Sequence, residues 1–162
     1  MAEVIPGAEA FRADGGPVGV LVLHGFTGNP SSVRGLAHAF AQEGHAVALP
    51  RLPGHGTDVA DMMGTSWVDW SEAAERALVE LAGRSEVQFA VGLSMGASIA
   101  CWLASRHPEI AGIVCINPAV STQDGLREVV REMLDAGETV IEGWDPTSPI
   151  PMRSSRPTAR RR

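Results

Sequence analysis

Four short apolar runs, at residues 18–23, 45–49, 87–91 and 110–116, are separated by segments whose apolar positions recur at helical spacing. The first run, Val-Gly-Val-Leu-Val-Leu, carries no charge, follows Gly15-Gly16-Pro17 and ends just before Gly25. A run of that kind reads as a strand buried on both faces. Asn29-Pro30 then offers a side-chain cap and a first helical residue with preset φ. Val33, Leu36, Ala37 and Phe40 follow at i, i+3, i+4 and i+7, and Gly44 ends the pattern. Thr65 and Ser66 cap a second helix through Trp67, Trp70, Ala74, Ala77, Leu78 and Leu81, which stops near Gly83. A third helix spans residues 97–105, and an amphipathic one is predicted over 124–136. Strands alternating with helices require right-handed crossovers, hence an α/β fold with a parallel sheet and helices on both faces.

The 162 residues suit one domain. The net charge of −6 gives no reason to expect a nucleic-acid partner. That balance is uneven, however. Residues 1–152 hold eight Arg and all nineteen acids, whereas residues 153–162 add five Arg and no acid. Residues 143–162 contain four Pro, three Ser, two Thr and five Arg without periodicity, a composition that cannot bury enough apolar surface to offset its ordering entropy. The expected organisation is therefore a folded domain over residues 1–142 and a disordered Pro/Arg-rich tail over 143–162. Patterning stops after Ile141, charge reverses there, and synonymous codons over residues 145–153 admit a neighbouring frame that restores acidic residues. Together these predict a frame-shifted terminus from about Gly143, the alternative being an ordinary basic tail.

Cys101 and Cys115 have no His or Cys at ligand spacing and read as small buried hydrophobes rather than as a metal site or a disulfide. An acidic residue near the N-terminus and no apolar stretch behind it do not fit a signal peptide. The uncharged residues 87–105 are broken by Gly92, Ser94, Gly96 and Ser98, so they read as strand, turn and helix, not as an integral membrane segment. A cytoplasmic location is expected, with no metal and no cofactor.

Gly92-Leu93-Ser94-Met95-Gly96 falls between a predicted buried strand and a predicted helix. That context gives a G-x-S-x-G run its meaning. A sharp strand-to-helix turn lifts the Ser94 hydroxyl clear of the sheet, and small residues two positions away give it room. The turn also sets Ser94 at a helix N-terminus, where free N–H groups favour developing negative charge. Ser94 is thus the candidate nucleophile. An acyl-transfer intermediate needs two N–H donors on its oxyanion. Met95 N–H supplies one, and Phe26 N–H, in the loop after the first strand, is taken as the other. His24, beside that loop, reads as a structural hydrogen-bonder rather than a base.

His24-Gly25-Phe26, Pro53-Gly54-His55-Gly56, Trp67-Val68-Asp69-Trp70 and Gly92-Leu93-Ser94-Met95-Gly96, in this order, resemble the bacterial carboxylesterase and monoacylglycerol-lipase branch of the α/β-hydrolases. The resemblance covers roughly residues 15 to 120. It implies that Ser94 attacks a carboxylic ester, with Phe26 and Met95 forming the oxyanion hole and a small acyl ester or monoacylglycerol as substrate. The Pro53–Gly56 stretch reads as a tight turn that positions its loop over the sheet edge, and Trp67 and Trp70 as core and pocket wall. The chain departs from the family after Ser94. The triad order in this fold is Ser, Asp or Glu, then His, and no His follows His107. The family's last strands and cap have no counterpart, and neither Asp124 nor Asp135 is assigned as the acid. Two readings follow: a serine esterase, weak in this chain, or a catalytically silent truncated hydrolase fragment. In either, the strand at 110–116 exposes an apolar sheet edge that predicts self-association.

Overall fold

The computed structural model describes residues 3–119, within the compact unit Met1–Ser121. The helix expected over 124–136 and the tail expected over 143–162 lie outside the described residues. Five strands form one sheet in the order β1-β3-β2-β4-β5: β1 Phe11–Ala13, β2 Val18–Leu23, β3 Ala46–Leu49, β4 Val87–Leu93 and β5 Gly112–Ile116. Strands β2 to β5 are parallel neighbours as predicted, with Val20 opposite Val47 and Phe89, and Val91 opposite Val114. The parallel pattern is joined at one edge by a strand that the sequence did not announce. There β1 pairs antiparallel with β3, Phe11 opposite Leu49, so the sheet is mixed.

Alternation along β2 sorts its side chains between two layers. Val20 and Val22 pack with Val47, Leu49 and Val91 against Val33 and Ala37 of α1 (Arg34–Gln42) and the residue before it. Leu21 and Leu23 pack with Ala46 and Ala90 against α3 (Trp67–Ala82) and α4 (Met95–Arg106), through Ala74, Leu78, Leu81, Ile99 and Leu103. Helices therefore cover both faces. Leu21, Leu23, Ile99 and Leu103 are wholly buried, each worth ~1.5–3 kcal/mol relative to exposure.

The punctuation read from the sequence acts through identifiable bonds. Asn29 Oδ1 accepts the Ser31 N–H at 2.9 Å and starts a 3-10 turn at Pro30–Ser32. Gly44 ends α1 at φ 83°, with the His45 N–H returning to the Phe40 carbonyl and the Gly44 N–H to Ala41. Glycine fits this left-handed position without a Cβ penalty. At the start of α3, the Asp69 carboxylate accepts the Ser66 N–H at 2.8 Å and its hydroxyl at 2.7 Å. A five-residue helix absent from the sequence reading, α2 (Val59–Met63), is capped by Asp58.

Candidate active site

The carboxyl ends of β2, β4 and β5 meet one rim of the sheet. The three non-glycine residues with positive φ among the described residues lie just past them: Thr27 (59°), Ser94 (53°) and Asn117 (46°). Each such conformation costs on the order of 1–3 kcal/mol, and such strain gathers at functional sites. Thr27 is β-branched, which makes it the stronger outlier.

Ser94 joins β4 to α4 with φ 53° and ψ −115°. Its N–H donates to the Ile116 carbonyl at 2.8 Å, and its carbonyl accepts the Ala97 and Ser98 N–H groups at 3.0 and 3.2 Å. The backbone is thereby held from β5 on one side and from α4 on the other. Gly92 and Gly96 are required by contact. A Cβ on Gly92 would overlap the Gly96 carbonyl and Ala97 nitrogen, and one on Gly96 would overlap the Leu23 and His24 carbonyls.

The loop after β2 lies directly against this turn. A Cβ placed on Gly25 would stand 3.4 Å from Ser94 Cβ and 4.0 Å from Ser94 Oγ. Phe26 comes next, half-exposed. Met95 opens α4, where backbone N–H groups have no intrahelical acceptor and the helix end carries partial positive charge. Among the described residues, neither the Phe26 nor the Met95 N–H donates to an acceptor. The turn at Ser94, the first residue of α4 and the Phe26 loop therefore adjoin on the strained rim.

Four of the five histidines are engaged away from the Ser94 hydroxyl. His24 is fully buried. Its Nδ1 lies 3.0 Å from the Gly25 carbonyl, which can only accept, so Nδ1 donates; its Nε2 accepts the Leu52 N–H at 3.2 Å. Burial, reinforced by His55 and Arg51 and opposed by the Gly25 bond, lowers its pKa to about 4. His107 closes the far end of α4, some 18 Å along a twelve-residue helix. There it bonds Glu75 at 2.7 Å and Glu109 at 3.0 Å, and the Glu75 carboxylate raises its pKa. His38 stacks on Phe11 and His45 tilts against Phe40. None of these side chains bonds the Ser94 hydroxyl. Asp124 and Asp135 lie outside the described residues.

Three readings from the sequence are corrected. Trp67 is 39% exposed and is not part of the core, since it stands at the very start of α3, a turn before the first buried residue of that helix. Cys101 and Cys115 are not buried hydrophobes but a half-buried free pair with sulfurs 3.5 Å apart, since α4 crosses β5 where they project. The Pro53–Gly56 turn overlies the loop after β2 rather than the sheet edge. Leu52 bonds His24, and the His55 ring stands 5.1 Å from His24, 6.1 Å from Phe26 and 5.3 Å from Trp70. The signal that could have exposed this group was the recurrence of His and Trp in motifs already set beside the Phe26 loop.

Comparison with known proteins agrees with this framework. The family model described as alpha/beta hydrolase fold matches residues 19–144. A thermostable monoacylglycerol lipase from Bacillus sp. (strain H-257) is 51% identical over 117 residues, 72% of this chain and 47% of the lipase. A carboxylesterase from Bacillus subtilis (strain 168) is 34% identical over 105 residues, 64% of this chain and 42% of the esterase. A solved structure from the metagenome-derived lipolytic enzymes LipS and LipT superposes with a TM-score of 0.76 at 39% identity, covering 91% of this chain and 56% of that one. The chain spans about half the length of the relatives it matches.

Proposed function

The chain belongs to the α/β-hydrolase fold family, and from that premise we propose that it is a serine hydrolase of the monoacylglycerol-lipase and carboxylesterase type, with Ser94 as nucleophile. The observation that carries the reading is the Ser94 turn: a non-glycine residue at φ 53°, at the N-terminus of α4, against the Gly25 loop. Ser94 Oγ adds to the ester carbonyl carbon while its proton passes through solvent to the departing alkoxide, and the carbonyl oxygen takes up the negative charge. The Phe26 and Met95 N–H groups meet that oxygen where its charge develops. Collapse expels the alcohol and leaves an acyl-serine, which water then cleaves. The names of the two Bacillus relatives support a small acyl ester or monoacylglycerol as substrate.

A second reading, a chain that keeps the hydrolase framework without turnover, is favoured by the engagement of His24 and His107 elsewhere. Hydrolysis of a nitrophenyl butyrate by the full chain and by Ser94→Ala separates the two. Serine-dependent turnover, lost in Ser94→Ala, supports the esterase. Equal rates in both proteins contradict it.

Two further expectations belong to the same proposal. A reducing, cytoplasmic compartment belongs to this proposal, one in which Cys101 and Cys115 stay free thiols. Among the described residues no helix is long and apolar enough to cross a membrane, and the exposed face beside β5 favours self-association.

A further inference from the structure

His55 is almost wholly buried, yet the ester-cleaving mechanism does not use it. Its Nδ1 lies 3.0 Å from the Pro53 carbonyl. A carbonyl only accepts, so Nδ1 carries the hydrogen and Nε2 is left with a bare lone pair. That Nε2 is buried and has no partner among the described residues. A side chain serving the turn alone could supply the same donor without burying a second, unpaired nitrogen. What the imidazole adds is its ring. Three rings surround it, those of His24, Phe26 and Trp70, and the Phe26 and Trp70 contacts are edge-on, a geometry aromatic pairs favour.

The surrounding bonds show what this ring is fastened to. The Pro53 carbonyl also accepts from Trp70 Nε1 at 3.1 Å, and that same N–H reaches Thr65 Oγ1 at 3.0 Å. Trp70 in turn lies 5.6 Å from the Phe26 ring. Leu52, one residue before Pro53, donates its N–H to His24. Phe26 is thus bracketed. On its N-terminal side, Gly25 rests against Ser94 and His24 is tied to Leu52. On its ring side, His55 and Trp70 converge, both anchored on one carbonyl. Thr27 follows in a strained positive-φ conformation, which persists only where surroundings hold it.

We propose that His55 is a positioning residue for the oxyanion loop: anchored on the Pro53 carbonyl and packed edge-on against Phe26 and Trp70, it fixes the direction of the Phe26 N–H beside Ser94. The catalytic part of this proposal rests on the reading of Ser94 as nucleophile; the loop-holding part does not. His55 touches no substrate in this account and acts through Phe26.

The test uses the full chain, an alkyl fluorophosphonate probe and hydrogen–deuterium exchange on the same proteins. In His55→Ala the maximal rate of Ser94 phosphonylation falls ~10- to 100-fold, the scale of a misplaced reacting group, while the half-saturating probe concentration holds. Exchange over residues 23–28 rises at least about fivefold, with α1 unchanged, as local rather than global opening requires. His55→Asn keeps an N–H for the Pro53 carbonyl and hence the turn, so it covers the case in which the alanine variant fails to fold; it gives the same losses. His38→Ala, stacked on Phe11 across the sheet, changes neither reading. Wild-type labelling rates in both His55 variants overturn the proposal. So does exchange that stays flat over residues 23–28, or that rises throughout the chain. If wild-type Ser94 takes no label, the nucleophile reading falls by itself, and exchange over residues 23–28 alone decides whether His55 holds the loop.

Discussion

His24 Nε2 accepts the Leu52 N–H at 3.2 Å, so the loop after β3 hangs from the loop after β2 through one neutral imidazole. Protonating that nitrogen would remove the acceptor and place a charge where no water reaches. Burial has already pushed the His24 pKa down to about 4, from an ordinary value of 6.5. The sign follows directly. Below pH 6.5 the unfolded chain binds a proton that the folded chain refuses, so stability present at neutral pH is lost as pH falls from about 6.5 to about 4. The full loss is on the order of 3 kcal/mol. Urea unfolding of wild type and His24→Gln across that range measures it. The stability difference between the two proteins should shrink by that amount on acidification; a constant difference would show that His24 titrates normally.

The contacts of the glycines predict opposite outcomes for one and the same substitution. Gly96→Ala drives a Cβ into the Leu23 and His24 carbonyls, backbone atoms that cannot swing aside. It should destabilise the fold by at least ~1–3 kcal/mol, the usual cost of overpacking. Gly35→Ala, in α1, meets nothing within 4 Å and should add about 0.5–1 kcal/mol through helix propensity. Thermal melting of the two variants beside wild type checks both signs.

Much of this architecture was legible in the sequence, because the features that announce it act over a few residues. The buried strands are continuous apolar runs, and Asn29, Gly44 and Ser66 punctuate them through bonds to near neighbours. The elements that escaped are short. Strand β1 has three residues and exists only by pairing with β3, while α2 has five, none of them buried. The site divides the same way. Gly92 and Gly96 are read from a local steric need, so the Ser94 turn could be located. The ring cluster around Phe26 joins residues 24, 26, 55 and 70, and the thiol pair joins α4 to β5. No periodicity encodes such meetings; they arise only once the sheet order is set.

On the face of the sheet that carries α1, apolar residues beyond that helix are exposed among the described residues. Val87 (40% exposed), Phe89 (37%), Val114 (53%) and Ile116 (39%) share it, and β5 is an edge strand among the described residues. An apolar face continuous with a free edge favours pairing with a second copy. Sedimentation velocity at rising protein concentration should show the 162-residue chain moving to larger species, and Val114→Lys should shift that onset upward. A monomer at every concentration would contradict the prediction.

On the proposed function, the strained turn between β4 and α4 presents Ser94 as the acyl nucleophile. The most direct measurement of that role is peptide mapping by mass spectrometry after the full chain has reacted with a fluorophosphonate. One adduct is expected, on Ser94, absent from Ser94→Ala. An adduct on Ser98 or Ser121, or one that persists unchanged in Ser94→Ala, would contradict it.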